Sequence, residues 1–303
     1  MPELPEVETI SMQLGKTLKG LRITGIEVLN KKSFIGPPSL RHGGASEGQG
    51  ILGKKVVGVR RRGKITIIEL ENNTCLAIHL KLTGQLIYRE DNKENRENKE
   101  NRGEYCDQKD GPFAVCELPN KFTRVIISFD NGARLYFNDL RIFGWIRVIR
   151  DIREIGEEKL GPEANDEKAF CFEYFKNILS KSKKPVKLLI MDQEKLAGVG
   201  NIYANEALFA AGIMPTRKGS ELRDEDIKIL RKSILKVLRE AIEHKGSSDR
   251  DEAYRQITGE KGTHQKYLQV YGRAGEKCPK CGGIIKRMNL GGRGTFYCSH
   301  CQV

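Results

Sequence analysis

Cys278-Pro279-Lys280-Cys281, sixteen further residues, then Cys298-Ser299-His300-Cys301 occupy the C-terminal end of a 303-residue sequence. Each Cys-x-x-Cys turn can aim two thiolates at one ion, and two such turns complete a tetrahedron, which is the pattern of a zinc ribbon. Four cysteinates leave no open coordination position, so one structural Zn2+ per chain is expected and no metal catalysis. Gly291, Gly292, Arg293 and Gly294 fall between the knuckles, where they are expected to make a hairpin tip able to press against a phosphate. Lys280, Lys286, Arg287 and Arg293 make the module basic. The remaining cysteines, Cys75, Cys106, Cys116 and Cys171, are scattered. That distribution suits a reducing cytosol with one metal site better than a disulfide framework.

Outward from the ribbon, the pattern back to Asp166 is helical. Between Asp224 and Lys245, Ile227, Leu230, Ile234, Val237, Leu238 and Ala241 fall on one face; acidic residues open the segment and Gly246 closes it. From Arg150 back to Leu21 the pattern is β-like. Ile51–Val59, Ile65–Leu70, Cys75–Leu82, Val125–Phe129, Arg134–Phe137 and Trp145–Ile149 read as strands, with turns at Asn72-Asn73 and Asp130-Asn131-Gly132. Many short strands predict a sandwich or barrel. From Glu3 to Lys19, Val7, Ile10, Leu14 and Leu18 keep helical spacing, with Pro5 in the first turn and Gly20 past the end. Residues 90–110 hold no aliphatic side chain, and residues 90–119 are expected to be a flexible insert.

Charge narrows the partner. Fifty-three Lys and Arg against 40 Asp and Glu give a net +13, which raises the expectation of a polyanionic partner over a merely solubilising surface. The 90–110 stretch carries 8 acidic and 5 basic residues, so it is not expected to touch DNA. No apolar run approaches the roughly 18–20 residues that cross a bilayer, and Met1-Pro2-Glu3-Leu4 is no secretory signal.

The other end of the chain bears chemistry. In Pro2-Glu3-Leu4-Pro5-Glu6-Val7-Glu8, a small second residue lets the initiator Met be cleaved, which exposes a secondary amine. An α-amino group titrates at about 7.7–8.0, against about 10.4 for lysine, so much of it is a free nucleophile near neutral pH. Attack of such an amine on a sugar C1′ gives an iminium ion, which acidifies the C2′ proton and joins base removal to strand cleavage. Glu3 stands beside the amine to shuttle protons. The residues alone also allow an ordinary first helix with acidic residues at its N-terminus.

Pro2–Glu8, the four-cysteine ribbon and Ala197-Gly198-Val199-Gly200-Asn201-Ile202-Tyr203-Ala204-Asn205-Glu206 together resemble the bacterial formamidopyrimidine-DNA glycosylases. So do His79-Leu80-Lys81-Leu82-Thr83-Gly84, Asn138-Asp139-Leu140-Arg141-Ile142-Phe143-Gly144 and Val270-Tyr271-Gly272-Arg273. The resemblance spans nearly the whole chain in order, apart from about Glu90 to Pro119. It implies an α+β multidomain fold: an N-terminal helix and catalytic β-sandwich over residues 1–150, a helix-two-turn-helix domain over 151–266 and a zinc ribbon over 267–303. It implies a cytoplasmic, monomeric repair enzyme associated with the nucleoid through its DNA. Damaged duplex DNA is expected in a cleft between the first two domains, with the target base flipped out of the helix. Oxidised purines, 8-oxoguanine and formamidopyrimidines, are excised through a Pro2 Schiff base, and β,δ-elimination then cuts the strand.

Roles follow by position. The resemblance makes Pro2 the nucleophile and Glu3 the proton donor. Lys64 matches a strand lysine that assists β-elimination and holds a phosphate; Arg293 matches the zinc-hairpin arginine that grips phosphate and assists δ-elimination. Asn201 opens a helix whose N-terminus, with the Gly198–Gly200 backbone, converges on phosphate. Lys183 or Lys184 matches a basic DNA contact. Arg141 and Phe143 match residues inserted into the hole left by the flipped nucleotide, and Leu82 stands where the family usually has Met, a change of little volume. Ile142 replaces a commonly basic neighbour, and a histidine found in some members is replaced near Phe122. His79 is either a phosphate contact or an ordinary strand histidine.

Two other readings differ in class. The related endonuclease VIII group prefers oxidised pyrimidines, but typically has Gly where this chain has Leu4. A catalytically silent zinc-ribbon DNA-binding protein, or a basic RNA-associated protein, has no need of Pro2, Glu3 and Lys64 together.

Overall fold

The computed structural model describes residues 1–36, 50–90, 117–156, 159–248 and 253–303. The insert expected over 90–119 therefore falls mainly outside the described residues, as do Cys106 and Cys116. The chain divides into two compact units: Met1–Pro2, Glu6–Glu157 and Lys245–Thr263 in one, Glu3–Pro5, Glu158–His244 and His264–Val303 in the other.

The first unit is a β-sandwich with the first helix in its core. Its strands are β1 (Ile23–Val28), β2 (Phe34–Ile35), β3 (Val56–Arg62), β4 (Ile65–Leu70), β5 (Thr74–His79), β6 (Gly84–Arg89), β7 (Thr123–Phe129), β8 (Arg134–Asp139) and β9 (Trp145–Ile149). One sheet runs β1-β7-β8-β6 and the other β2-β9-β5-β4-β3. Side-chain alternation assigns the faces. Val125, Ile127 and Phe129 of β7 share a core with Ile68 and Leu70 of β4, whereas Ile65 and Ile67 face the opposite way. Helix α1 (Leu4–Leu18) adds Ile10, Leu14 and Leu18 to that core, and Val7, the remaining member of the helical stripe read from the sequence, is buried as well.

Two expected strands are shorter than the apolar runs that suggested them. Ile51–Leu52–Gly53 is a turn, with Ile51 nevertheless fully buried, and the strand begins at Val56. The run Cys75–Leu82 breaks after His79, because Lys81 enters the left-handed region at φ +53°. β1, β2 and β6 carry weaker signals: Gly25 interrupts the apolar run of β1, β2 has only two residues, and β6 opens on Gly84 and Gln85.

The second unit is helical around α4 (Asn201–Ala211), which is buried along nearly its whole length. Around it lie α2 (Phe172–Ser180), α3 (Val186–Ile190) and α5 (Asp224–Glu243). The α5 stripe is as expected, with Ile227, Leu230, Ile234, Leu238 and Ala241 buried and Val237 partly so. The antiparallel hairpin β10 (Ile285–Leu290) and β11 (Arg293–Cys298) completes the unit. Gly291 and Gly292 make its two-residue turn with φ of +57° and +73°, a conformation glycine adopts without strain. No helix among the described residues is long and apolar enough to cross a membrane.

Candidate active site and DNA interface

Glu3 and Leu4, at the start of α1, are held by hydrogen bonds inside the second unit. Leu4 N–H donates to the Gly198 carbonyl at 3.1 Å. The Glu3 carboxylate, 2% exposed, caps α4: Ile202 N–H donates to Oε1 at 2.9 Å and Tyr203 N–H to Oε2 at 3.4 Å. These are donors that a helix start leaves without an intrahelical partner. The docking explains the glycines of Ala197–Asn201. A Cβ on Gly198 would stand 2.4 Å from Leu4 Cδ1, and one on Gly200 would stand 2.3 Å from Glu3 Cδ. Pro2, buried, immediately precedes in the chain the residue whose carboxylate is fixed on a helix N-terminus.

Lys64 is not on a strand. It is the second residue of the two-residue turn joining β3 to β4, after Gly63 at φ +55°. A turn exposes the amine stem beyond the sheet edge, whereas a strand position would aim it at one face.

His79 ends β5. Its Nδ1 accepts the Lys81 backbone N–H at 3.0 Å, which leaves Nε2 to carry the proton. Its pKa is pushed down to about 3, first by burial, then by Lys81, Lys64 and Arg147. It is therefore a neutral donor at physiological pH. Leu82 follows in the β5–β6 loop, half-buried, while Arg141 and Phe143 lie on the β8–β9 loop, Phe143 59% exposed.

The second unit positions the ribbon arginine through Asn201 and through two residues with no role assigned from the sequence, Lys187 and Asn205. Lys187, fully buried in α3, donates from Nζ to Thr295 Oγ1 at 2.7 Å and to the Gly294 carbonyl at 3.1 Å. Burial pushes its pKa down to about 8, against the upward pull of Glu3, with Arg293 adding to the depression. Asn201 Nδ2 also donates to the Gly294 carbonyl, at 3.2 Å, which leaves its second hydrogen for a ligand. Phe296 N–H donates to Asn205 Oδ1 at 2.8 Å. The start of β11 is thereby held while Arg293 itself stays exposed. Lys183 and Lys184, the lysines expected to touch DNA, are exposed just before α3.

Glu206 was also missed as an individual residue. Its carboxylate, 4% exposed, accepts N–H bonds from Gln269 (2.8 Å), Val270 (3.0 Å) and Tyr271 (2.8 Å). The last residue of one sequence motif is the anchor of another.

The four cysteines of the ribbon converge. Their sulfurs all lie within 4.8 Å of one another, with Cys278–Cys301 at 3.8 Å and Cys281–Cys298 at 3.5 Å. Tetrahedral zinc with Zn–S bonds of about 2.3 Å requires sulfurs about 3.8 Å apart; a disulfide requires about 2.05 Å. The donor set fits one zinc ion held by Cys278, Cys281, Cys298 and Cys301, in a structural role.

Comparison with known proteins agrees along the chain. Residues 1–146 match the formamidopyrimidine-DNA glycosylase N-terminal domain, residues 160–252 the H2TH domain of the same enzymes, and residues 275–303 a zinc finger found in FPG and IleRS. The chain is 37% identical to the formamidopyrimidine-DNA glycosylase of Pelotomaculum thermopropionicum, over 100% of this chain and 99% of the relative. The crystal structure of the MutM (Fpg) protein of Thermus thermophilus superposes with a TM-score of 0.81 at 35% identity, covering 99% of this chain and 98% of that one. Lactococcus lactis Fpg in complex with abasic-site DNA gives 0.81 at 30% identity, covering 99% of both.

Proposed function

Because the chain belongs to the formamidopyrimidine-DNA glycosylase family, we propose that its Pro2 amine, freed by removal of Met1, excises oxidised purines and then cuts the strand. The protein is a DNA glycosylase and abasic-site lyase of base excision repair, with damaged duplex DNA as its partner and one structural zinc ion. The observation that carries the residue assignment is the Glu3 carboxylate, fixed on the N-terminus of α4 beside Pro2.

In this reading the Pro2 nitrogen forms a bond to C1′ as the glycosidic bond breaks and the base leaves with its electron pair. Glu3 supplies the proton that opens the sugar, giving an iminium ion. Loss of the C2′ proton expels the 3′ phosphate, and a second elimination expels the 5′ phosphate. Lys64 assists the first elimination, and Arg293 holds phosphate for the second. The zinc ion supplies no chemistry; its four thiolates hold the hairpin that carries Arg293. Asn201, His79 and one or both of Lys183 and Lys184 contact phosphates. Leu82 fills the vacated stack, Phe143 wedges beside it, and Arg141 bonds the orphaned base. Arginine is donor-only, so it favours cytosine, whose O2 and N3 both accept, over adenine, which presents a donor there. Leu4, Arg141 and Phe143 favour purine over pyrimidine lesions. The bacterial relatives support a cytoplasmic enzyme, and binding to DNA would associate it with the nucleoid.

The test is borohydride trapping on duplexes carrying 8-oxoguanine or dihydrouracil. The expected result is a covalent adduct, stronger with 8-oxoguanine, that is lost in Pro2→Gly and in protein retaining Met1, whose Pro2 nitrogen is a tertiary amide. Full trapping by the Met1-retaining form would refute the nucleophile; preference for dihydrouracil would move the chain to the pyrimidine branch.

A further inference from the structure

The three residues assigned to the vacated stack sit on two loops far apart in sequence. Leu82 is on the loop between β5 and β6; Arg141 and Phe143 are on the loop between β8 and β9. Both loops meet at one side chain. Asp139, the last residue of β8, is 0% exposed. Its Oδ1 accepts the Thr83 hydroxyl and the Arg141 backbone N–H, the latter at 3.1 Å. Its Oδ2 accepts the Gly144 N–H at 2.7 Å. The Arg141 N–H is shared with Thr83 Oγ1, also at 3.1 Å, which closes a triangle across the two loops.

The spacing of these contacts is informative. Leu82 immediately precedes Thr83, Arg141 is held by its own N–H, and Phe143 immediately precedes Gly144. Every insertion residue is thus at, or one residue from, an atom bonded to this carboxylate. The backbone that carries the carboxylate is fixed in turn: Asp139 N–H donates to the Phe122 carbonyl at 2.9 Å, and Arg124 Nε donates to the Asp139 carbonyl at 2.8 Å.

The loops are also strained where they carry the insertion residues. Lys81 has φ +53° and Ile142 has φ +58°. A β-branched residue such as Ile142 rarely adopts the left-handed region and persists there only when its surroundings over-determine it. Room is equally limited: a Cβ on Gly84 would stand 2.5 Å from the Leu80 carbonyl oxygen, and one on Gly144 would stand 2.8 Å from Phe137 Cζ. The hydrogen bonds to Asp139 supply that over-determination on both loops at once.

We infer that Asp139 is a positioning residue that joins the Leu82 loop and the Arg141–Phe143 loop into one rigid insertion unit, and thereby sets discrimination between cytosine and adenine opposite the lesion. The inference rests on the insertion roles proposed above. A rigid pair of loops presents the Arg141 fork in one register to the orphaned base; separated loops present it in several, and an arginine that can shift accepts either partner. Asparagine at 139 keeps the shape but replaces one acceptor oxygen with an amide donor. It cannot accept all three bonds. Thr83→Val removes the hydroxyl that links the loops, and Thr83→Ser restores it.

The experiment measures single-turnover excision of 8-oxoguanine opposite cytosine and opposite adenine by the full-length, zinc-loaded protein and its Asp139→Asn, Thr83→Val, Thr83→Ser and Arg141→Ala variants. Cleavage of a preformed abasic site in single-stranded DNA, which has no opposite base, is measured alongside. Asp139→Asn and Thr83→Val are expected to lower the cytosine-to-adenine ratio by about tenfold, the scale of one lost base-edge hydrogen-bond pair. Their single-strand cleavage stays within about twofold of the unmodified protein, as for changes that spare the reacting groups, and Thr83→Ser keeps the ratio. Should Asp139→Asn fail to fold, the Thr83→Val and Thr83→Ser pair decides by the same criteria. If Arg141→Ala lowers the ratio while Asp139→Asn and Thr83→Val do not, the positioning role is overturned and the insertion reading stands. If Arg141→Ala leaves the ratio intact, both fall. An equal loss on every substrate, single strands included, shows a purely structural residue and also overturns the inference.

Discussion

Replacing Glu206 with alanine removes the acceptor of three backbone N–H groups, those of Gln269, Val270 and Tyr271. Gln269 is exposed, so its amide can turn to water, whereas Val270 is fully buried and Tyr271 partly so. A buried donor left without a partner costs about 1–3 kcal/mol, so two orphans cost about 2–6 kcal/mol. Each kcal/mol lowers the melting temperature by roughly 2–4 °C in a domain of this size. Glutamine behaves differently. Its single carbonyl oxygen can keep the Val270 and Tyr271 bonds that Oε1 accepts now. The lost charge assistance is offset by relief of burial, which pushes the Glu206 carboxyl above its ordinary range despite the three donors. Glu206→Gln is therefore expected to cost less than about 2 kcal/mol, and Glu206→Ala clearly more. Calorimetry of both variants, with zinc release to a chelator followed in parallel, checks the ordering. Glu206→Ala should melt earlier and yield its zinc faster, because the segment it anchors leads into the ribbon. Equal melting and equal zinc release in Glu206→Ala and unmodified protein would refute the anchor.

Cys298→Ser should release the metal and weaken DNA binding without unfolding the β-sandwich, read by metal analysis and circular dichroism; protein purified without zinc and fully active would contradict it. Lys187→Met removes two hydrogen bonds from the start of β11 at nearly constant volume, and should weaken DNA binding and shift products toward β-elimination alone. An unchanged product ratio would show that Arg293 does not depend on that latch. His79 supplies the pH dependence. Its pKa is about 3 folded against 6.5 unfolded, so between those values the unfolded chain binds more protons and stability falls as pH falls. His79→Gln should flatten the stability curve below about pH 6.5 and leave it unchanged above; urea titrations at pH 4, 5 and 7 on the two proteins decide.

The parts legible in the sequence are those whose periodicity or spacing is local. The α5 stripe, the α1 stripe and the Cys-x-x-Cys pairs each sit in a window of a few turns, and all three stand where the pattern put them. The missed positions depend on partners far along the chain. Lys187 reads as one more lysine after Lys183 and Lys184, yet it alone is fully buried, because its acceptors on β11 lie more than a hundred residues away. Nothing local signals the burial of Asp139 or Glu206: at Asp139 the Thr83 hydroxyl, 56 residues away, joins the nearby Arg141 and Gly144 N–H groups, and at Glu206 the donors are the N–H groups of Gln269, Val270 and Tyr271. The resemblance matches Lys64 to a strand lysine, whereas the pairing of Arg62 with Ile65 places it in the turn between the two strands. The resemblance supplied roles for residues near substrate and none for the residues that hold them.

Charge and hydrogen bonding are separated across the proposed interface, and the separation is measurable. Arg293 is exposed at a hairpin turn and always charged, so it should displace a counterion when it meets a phosphate. His79 offers an N–H without charge: its Nδ1 is committed to Lys81 and its environment keeps the ring neutral. Both are proposed to bind phosphate, yet only one contact should register in the salt dependence. Arg293→Ala is expected to reduce the slope of log K against log salt by about 0.9, while His79→Gln lowers affinity at every salt concentration with the slope unchanged. Fluorescence anisotropy on abasic-site duplexes from about 50 to 200 mM salt resolves a difference of that size. A slope change of about 0.9 in His79→Gln would mean that the imidazole is a cation in the complex, and that phosphate overcomes the burial and the neighbouring cations that hold it neutral in the free protein.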